Sequence, residues 1–127
     1  GQGGRPSINY GRARAEGAGV GTIGEGSFGV LYEGYVDSIT RRISENWLHS
    51  TVDVNLRRAP RIFMTFEILR DGSIVNVEIS QTSGNRSLDR SAQRAIFASN
   101  PLTPLPTGFR GRSVSVSFWF EYTKQWD

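Results

Sequence analysis

The chain has 127 residues, a formal charge of +3 at neutral pH and no cysteine, which suggests one domain with a tail and excludes disulfides and thiolate metal sites. The basic excess is small and almost all arginine, Lys124 being the one lysine, so an anionic partner is permitted but not demanded. No apolar run approaches the roughly 20 residues that cross a bilayer as a helix.

The chain opens GQGG without a methionine and reads as a piece of something longer, with any signal or membrane anchor lying outside it. Residues 1–29 hold most of the glycine. Glycine loses the most backbone entropy on ordering, so residues 1–30 are expected to form a flexible linker. Two phosphate-binding patterns occur in this tract. Gly19-Val20-Gly21-Thr22-Ile23-Gly24 has the spacing of a dinucleotide fingerprint, and Gly24-Glu25-Gly26-Ser27-Phe28-Gly29-Val30 that of a kinase glycine loop. The first needs a preceding strand and a crossover helix. The second needs a lysine on the following strand, a His-Arg-Asp and an Asp-Phe-Gly. That lysine and both tripeptides are missing. Both patterns are read as chance matches, and no cofactor is expected.

From Leu31 the texture changes. Leu31, Tyr35, Ile39, Ile43 and Trp47 recur every fourth residue with Val36 beside them, which predicts an amphipathic helix over residues 31–49 packed on a sheet. Trp47 is read as a core plug; exposed, it would be a binding anchor. His49, the one histidine, has no second histidine or cysteine to share a metal or a nucleophile with. It is expected to face the helix C-terminal dipole. Arg41-Arg42 and Arg57-Arg58 with Arg61 are read as a solvated face, and no nucleic acid is expected as a partner. Residues 51–60 form a polar connection closed by Ala59-Pro60, which favours passage into a strand.

Ile62, Met64, Phe66 and Ile68 alternate along a first strand. Val75, Val77 and Ile79 alternate along a second, with Asn76, Glu78 and Ser80 on its other face. Asp71-Gly72 between them marks a hairpin, because tight turns need positive φ. Ser87 is expected to cap a second helix, with Asp89 in its first turn and Leu88, Ala92, Ala95, Ile96 and Ser99 along one side. Three prolines in residues 100–106 end that helix and enforce an extended bridge.

Residues 112–122 form the clearest strand. Val114, Val116, Phe118, Phe120 and Tyr122 share one face, and Ser113, Ser115, Ser117, Trp119 and Glu121 the other. The expected order of elements is therefore α-β-β-α-β. A helix linking the second and third strands allows them to run parallel on either side of the first. The expected fold is α+β: a three-stranded antiparallel or mixed sheet in the order 2-1-3, with both helices on one face. The third strand is then a sheet edge. Most edges are blunted by proline, bulges or inward charge, and this one has none inside it. The candidate site is that edge: Arg110, Arg112, Ser113, Val114, Ser115, Val116, Ser117, Phe118, Trp119, Phe120, Glu121 and Tyr122. A foreign peptide could add there as a strand, with Trp119 supplying specificity and Arg110, Arg112 and Lys124 drawing in acidic peptides; the alternative is an edge already covered by the N-terminal segment or by a dimer mate. With one histidine, no cysteine and no telling pair of carboxylates, no catalytic or metal-binding constellation is seen and no enzyme is expected.

The run from Ile62 to Ile79 around Asp71-Gly72, then Ser83-Gly84, Leu88-Asp89, Ala92, Ala95, Pro104-Leu105-Pro106 and the closing alternating strand, resembles the C-terminal domain of TonB-type energy transducers over residues 31–127. The first helix, EGYVDSITRRISENW, is closer to the related periplasmic protein TolA. The resemblance implies a periplasmic domain of a protein anchored in the inner membrane. Such a domain grips the N-terminal peptide of an outer-membrane receptor by strand addition and transmits force from a motor complex driven by the proton-motive force. The TolA-like alternative is an envelope-integrity linker that binds periplasmic or peptidoglycan-associated proteins. A homodimer by domain swapping is a further expectation, because exposed edges and long connections favour exchange.

Overall fold

Strict apolar alternation builds two of the described strands, and a bulged alternation a third. A computed structural model describes residues 17–123. The expected hairpin is β2 (Ile62–Leu69) and β3 (Ile74–Gln81), and the expected C-terminal strand is β4 (Ser113–Phe120). An unexpected strand, β1 (Ala18–Ile23), precedes them. The sheet order is β1-β4-β2-β3, and all three ladders are antiparallel. The predicted arrangement of hairpin and closing strand therefore holds, with β3 and β4 flanking β2. The predicted count of three strands does not, because residues 18–23, read as linker, supply a fourth.

Beyond β1 the former linker forms α1 (Phe28–Leu31) and leads into α2 (Glu33–Glu45). The expected single helix over 31–49 is thus broken at Tyr32, whose φ of −120° and ψ of 46° are not helical. The break turns Leu31 out to solvent, 67% exposed, while Val36, Ile39 and Ile43 stay buried. After α2 a 3₁₀ turn (His49–Thr51) starts the connection to β2. His49 therefore lies past the end of α2, against the rings of Trp47 and Tyr122.

The third helix, α3 (Arg86–Ala98), is capped by Asn85 rather than Ser87: the Asn85 side chain accepts from Leu88 N at 3.0 Å. Asp89 in its first turn accepts from both the main-chain N (2.9 Å) and the hydroxyl (2.7 Å) of Ser83. It thus fixes the turn that leaves β3. Leu88, Ala92, Ala95 and Ile96 bury the inner side of the helix, where small residues allow close approach. Both long helices cover the same side of the sheet, α2 over β1 and α3 over β2 and β3. Polar bonds pin them together. Trp47 Nε1 donates to Ser91 Oγ (2.9 Å), Arg42 Nε to Ser99 O (3.1 Å) and Asn46 Nδ2 to Ser99 Oγ (3.0 Å). Trp47 is the core plug expected of it, stacked edge-on to Phe120 at 5.0 Å.

The proline segment, residues 100–106, runs as a strap across the hairpin. Leu102 N donates to Gly72 O (2.8 Å) and Leu105 N to Arg70 O (3.1 Å), and both leucines are buried. Tyr35 anchors the strap from α2 by donating its hydroxyl to Thr103 O at 2.8 Å. Burial pushes the pKa of that phenol up to about 12. Arg70 clamps the loop between strap and β4, donating to the carbonyls of Pro106, Phe109 and Gly111.

Two of the sheet's register shifts alter which apolar residues face the core. Asn76 has a φ of +53° and sits where the β2–β3 register shifts. Past it, Val75 lies opposite Glu67 on the solvent side, whereas Val77 and Ile79 pack on the core. The Asn76 side chain donates to Glu67 Oε1 at 3.0 Å. The second bulge lies in β1 between Val20 and Thr22. It lets Ala18, Val20 and Ile23 all face inward.

Candidate functional site

The inner face of β4 is as expected. Val114, Val116, Phe118, Phe120 and Tyr122 are all buried, and two of them bring large rings into the centre of the core. This face cannot meet a partner; it fixes the height and register of the strand. On the outer face are Ser113, Ser115, Ser117, Trp119 and Glu121. Trp119 carries the guanidinium of Arg61 at 4.1 Å from its ring centroid, within cation–π range. The same Arg61 pairs with Glu121 at 2.9 Å. Both partners of that pair are nearly half exposed, so it contributes at most about 1 kcal/mol and chiefly orients the Trp119 ring.

The main chain of β4 departs from expectation. On one side it pairs with β2 in unbroken register, from Ile62 opposite Phe120 to Leu69 opposite Ser113. On the other side, expected to be vacant, it pairs with β1 from Ala18 opposite Phe120 to Ile23 opposite Val116. Two further bonds extend the pairing at its ends. Glu121 N donates to Gly17 O (2.6 Å) and Gly24 N to Ser115 O (2.9 Å). The free edge assigned to β4 is therefore corrected: the strand is internal, and the chain's own leader takes the row of donors and acceptors. The outermost strands of the described sheet are β1 and β3. Both carry a bulge, β1 between Val20 and Thr22 and β3 at Asn76, a device that disfavours further pairing.

The remaining predicted residues scatter. Arg110 and Arg112 are exposed before the start of β4, at the opposite end from Trp119 and Glu121, and Lys124 lies outside the described residues. Arg42 and Arg61, singled out as parts of basic clusters, have structural partners in Ser99 and Glu121. The glycine pattern at 19–24 is itself the strand β1 with its following turn, and α1 after it has four residues. Among the described residues no group of three or more histidine, cysteine, aspartate or glutamate side chains is placed to hold a metal.

Sequence reasoning read residues 18–23 as linker and identified no strand there, although it kept the N-terminal segment as an alternative cover for this edge. The contribution of β1 is mainly backbone. Gly19 stands opposite Trp119, and a Cβ added at Gly21 would sit in ordinary contact with Ser117 Oγ (3.7 Å) and Trp119 Cδ1 (3.8 Å). β1 thus satisfies the hydrogen bonding of β4 and sets Thr22 opposite Ser117, while its two glycines offer Trp119 no side chain.

A sequence profile of the family described as TonB C terminal matches residues 32–118. The chain belongs to the TonB C-terminal family. It is 30% identical over 97 residues to Protein TonB of Pasteurella multocida (strain Pm70), an alignment covering 76% of this chain and 38% of that protein. It is 31% identical over 85 residues to Protein TonB of Haemophilus influenzae (strain ATCC 51907 / DSM 11121 / KW20 / Rd), covering 66% and 32%. The chain thus spans 38% or less of the length of these TonB relatives. No solved structure matches it. The TonB-matched residues contain α2, the β2–β3 hairpin, α3 and most of β4, whereas β1 and α1 lie before them. Among the described residues no helix is long and apolar enough to cross a membrane.

Proposed function

We propose that this domain is the gripping end of a TonB-type energy transducer. Anchored to the inner membrane through another part of the protein, it works in the periplasm. It takes the N-terminal peptide of an outer-membrane receptor or transporter as an added strand along β4, and passes on force from a motor complex driven by the proton-motive force. One observation carries this reading: the outer row of β4 already holds an added strand, paired along Ser115–Glu121, that comes from outside the family-matched residues. Main-chain pairing of this kind is tolerant of sequence, each bond contributing about 0.5–1.5 kcal/mol net. Tension along an added strand is shared among the bonds of its ladder. On its other side β4 is held by the whole length of β2, which carries the load into the core.

The test is a titration of synthetic peptides from receptor N-termini into the isotope-labelled chain. Amide shifts concentrated in β1 and β4 support the proposal; unchanged shifts at millimolar peptide reject it. Membership of the TonB family favours this reading over the TolA-like linker. Cross-linking in envelope extracts separates them: receptor adducts support the transducer, and soluble periplasmic or peptidoglycan-associated adducts the linker.

A further inference from the structure

We infer that β1 is a resident strand, an intramolecular stand-in that closes the binding row of β4 until a partner peptide displaces it. The inference rests on the strand-addition reading above and adds to it a built-in competitor and the chemistry a peptide needs to win. Four observations converge on it. First, β1 lies outside the residues that match the family, and those residues supply the three-stranded sheet and both long helices without it. Second, its ladder is the weaker flank of β4. It has six residues, two of them glycine, and its register breaks between Val20 and Thr22, whereas the β2 ladder runs unbroken over eight residue pairs. Third, a hinge adjoins it. Gly24 and Gly26 have φ of +62° and +58°, and a Cβ at Gly26 would meet nothing within 4 Å. Residues of that kind absorb the dihedral change that lets a segment swing away. Being first among the described elements, β1 leaves without passing through any other. Fourth, it holds β4 incompletely. Ala18, Val20 and Ile23 fill the inward positions and Thr22 stands opposite Ser117, but Gly19 opposite Trp119 and the exposed bulge residue Gly21, where a Cβ would lie 3.8 Å from Trp119 Cδ1, present no side chain to that ring.

The displacing peptide is therefore defined by its chemistry. It is extended, with small or β-branched apolar residues at the inward positions that Ala18, Val20 and Ile23 now occupy. At the outward positions it carries side chains rather than glycine, to pack on Trp119. Its apparent affinity is reduced by the fraction of molecules in which β1 is docked, so loosening β1 raises that affinity without altering the site.

Two measurements test this on the chain of residues 1–127. In the unmodified chain, β1 amides and the β4 amides facing them, Glu121 N among them, are expected to exchange with solvent at least about tenfold faster than the β2–β4 ladder, by a local opening of β1 alone. Exchange of β1 at the rate of the β2–β4 ladder overturns the inference and needs no variant that folds. The second measurement uses Val20→Asp, which puts a charge at a buried position opposite Phe118, opposes docking of β1 and changes no residue of the family-matched region. Here the synthetic peptide GAGVGTIG, residues 17–24, is expected to bind β4 in trans. Its counterpart with Thr in place of Gly21 is expected to bind tighter, and receptor N-terminal peptides about tenfold tighter than to the unmodified chain. If receptor peptides bind both chains equally while β1 stays protected, the resident-strand inference falls and receptor recognition stands. If they bind neither chain, yet β1 opens locally and GAGVGTIG replaces it, the receptor reading falls and the resident strand stands.

Discussion

Replacing Gly72 with alanine puts a methyl group where the strap crosses the hairpin. A Cβ at this position would lie 2.1 Å from Leu102 O and 2.9 Å from Leu102 C. These are main-chain atoms, so no side-chain rotation relieves the clash, and either the turn or the strap must move. The φ of Gly72 is +95°, a left-handed setting that costs an L-residue about 1–2 kcal/mol. Lifting the strap breaks the bond from Leu102 N to Gly72 O, a loss of about 1 kcal/mol. It also partly exposes Leu102 and Leu105, now 4% and 3% accessible, each worth about 1.5–3 kcal/mol when fully buried. With half of that burial lost, the expected destabilisation is about 4 kcal/mol. The control is Gly84→Ala. Its φ is +87°, but a Cβ there would meet nothing within 4 Å, so only the strain of about 1–2 kcal/mol applies. Urea unfolding with a shifted midpoint and unchanged slope measures both. A Gly72→Ala chain destabilised no more than Gly84→Ala would refute this, because the strap would then not hold the hairpin.

Three further outcomes are expected from the same geometry. Asn85→Ala removes the acceptor for Leu88 N and is expected to cost about 1 kcal/mol in urea unfolding. Trp47→Phe keeps most of the ring but loses the bond to Ser91 Oγ, which still donates to Leu88 O. A cost of about 1–2 kcal/mol is expected, against about 3–5 for Trp47→Ala. Bonds from Ser73, the main-chain N foremost, hold the Asp71 carboxyl below its usual pKa. A depressed carboxylate stabilises the turn above its ordinary pKa and loses that contribution as the pH falls through the lowered value. The amide shift of Ser73 should therefore titrate below the ordinary aspartate range in the native chain and not at all in Asp71→Asn.

β2, α3 and the inner face of β4 were legible because each rests on a side-chain period that nothing interrupts, and the hairpin because Asp71-Gly72 marks its turn. Errors arose where one residue breaks the count. Asn76, in the left-handed region, turns Val75 from the core to the solvent side. Tyr32 splits the first helix and ejects Leu31 from a stripe that otherwise continues correctly through Ile39, Ile43 and Trp47. Asn85 displaced Ser87 as the cap because Ser87 Oγ is engaged elsewhere, accepting from Asp53 N and donating to Asn85 Oδ1.

The strand β1 was hidden for a deeper reason. A bulge carries its inward residues from a spacing of two, Ala18 to Val20, to a spacing of three, Val20 to Ile23, so neither strand nor helix periodicity appears. Two of its six residues are glycine, which sequence reasoning rightly counts against ordering. The cost is met by the partner strand: β4 brings the apolar alternation and the undefended row of hydrogen-bonding groups, and any extended segment close by can complete it. The closest segment is the one attached to α1 through Gly24 and Gly26. So tethered, β1 competes at an effective concentration in about the millimolar range, enough to hold a poor strand in place. A free peptide at far lower concentration must outcompete it with contacts β1 does not make. The exposed position of Gly21, where a Cβ would lie 3.8 Å from Trp119 Cδ1, is where such a contact is open.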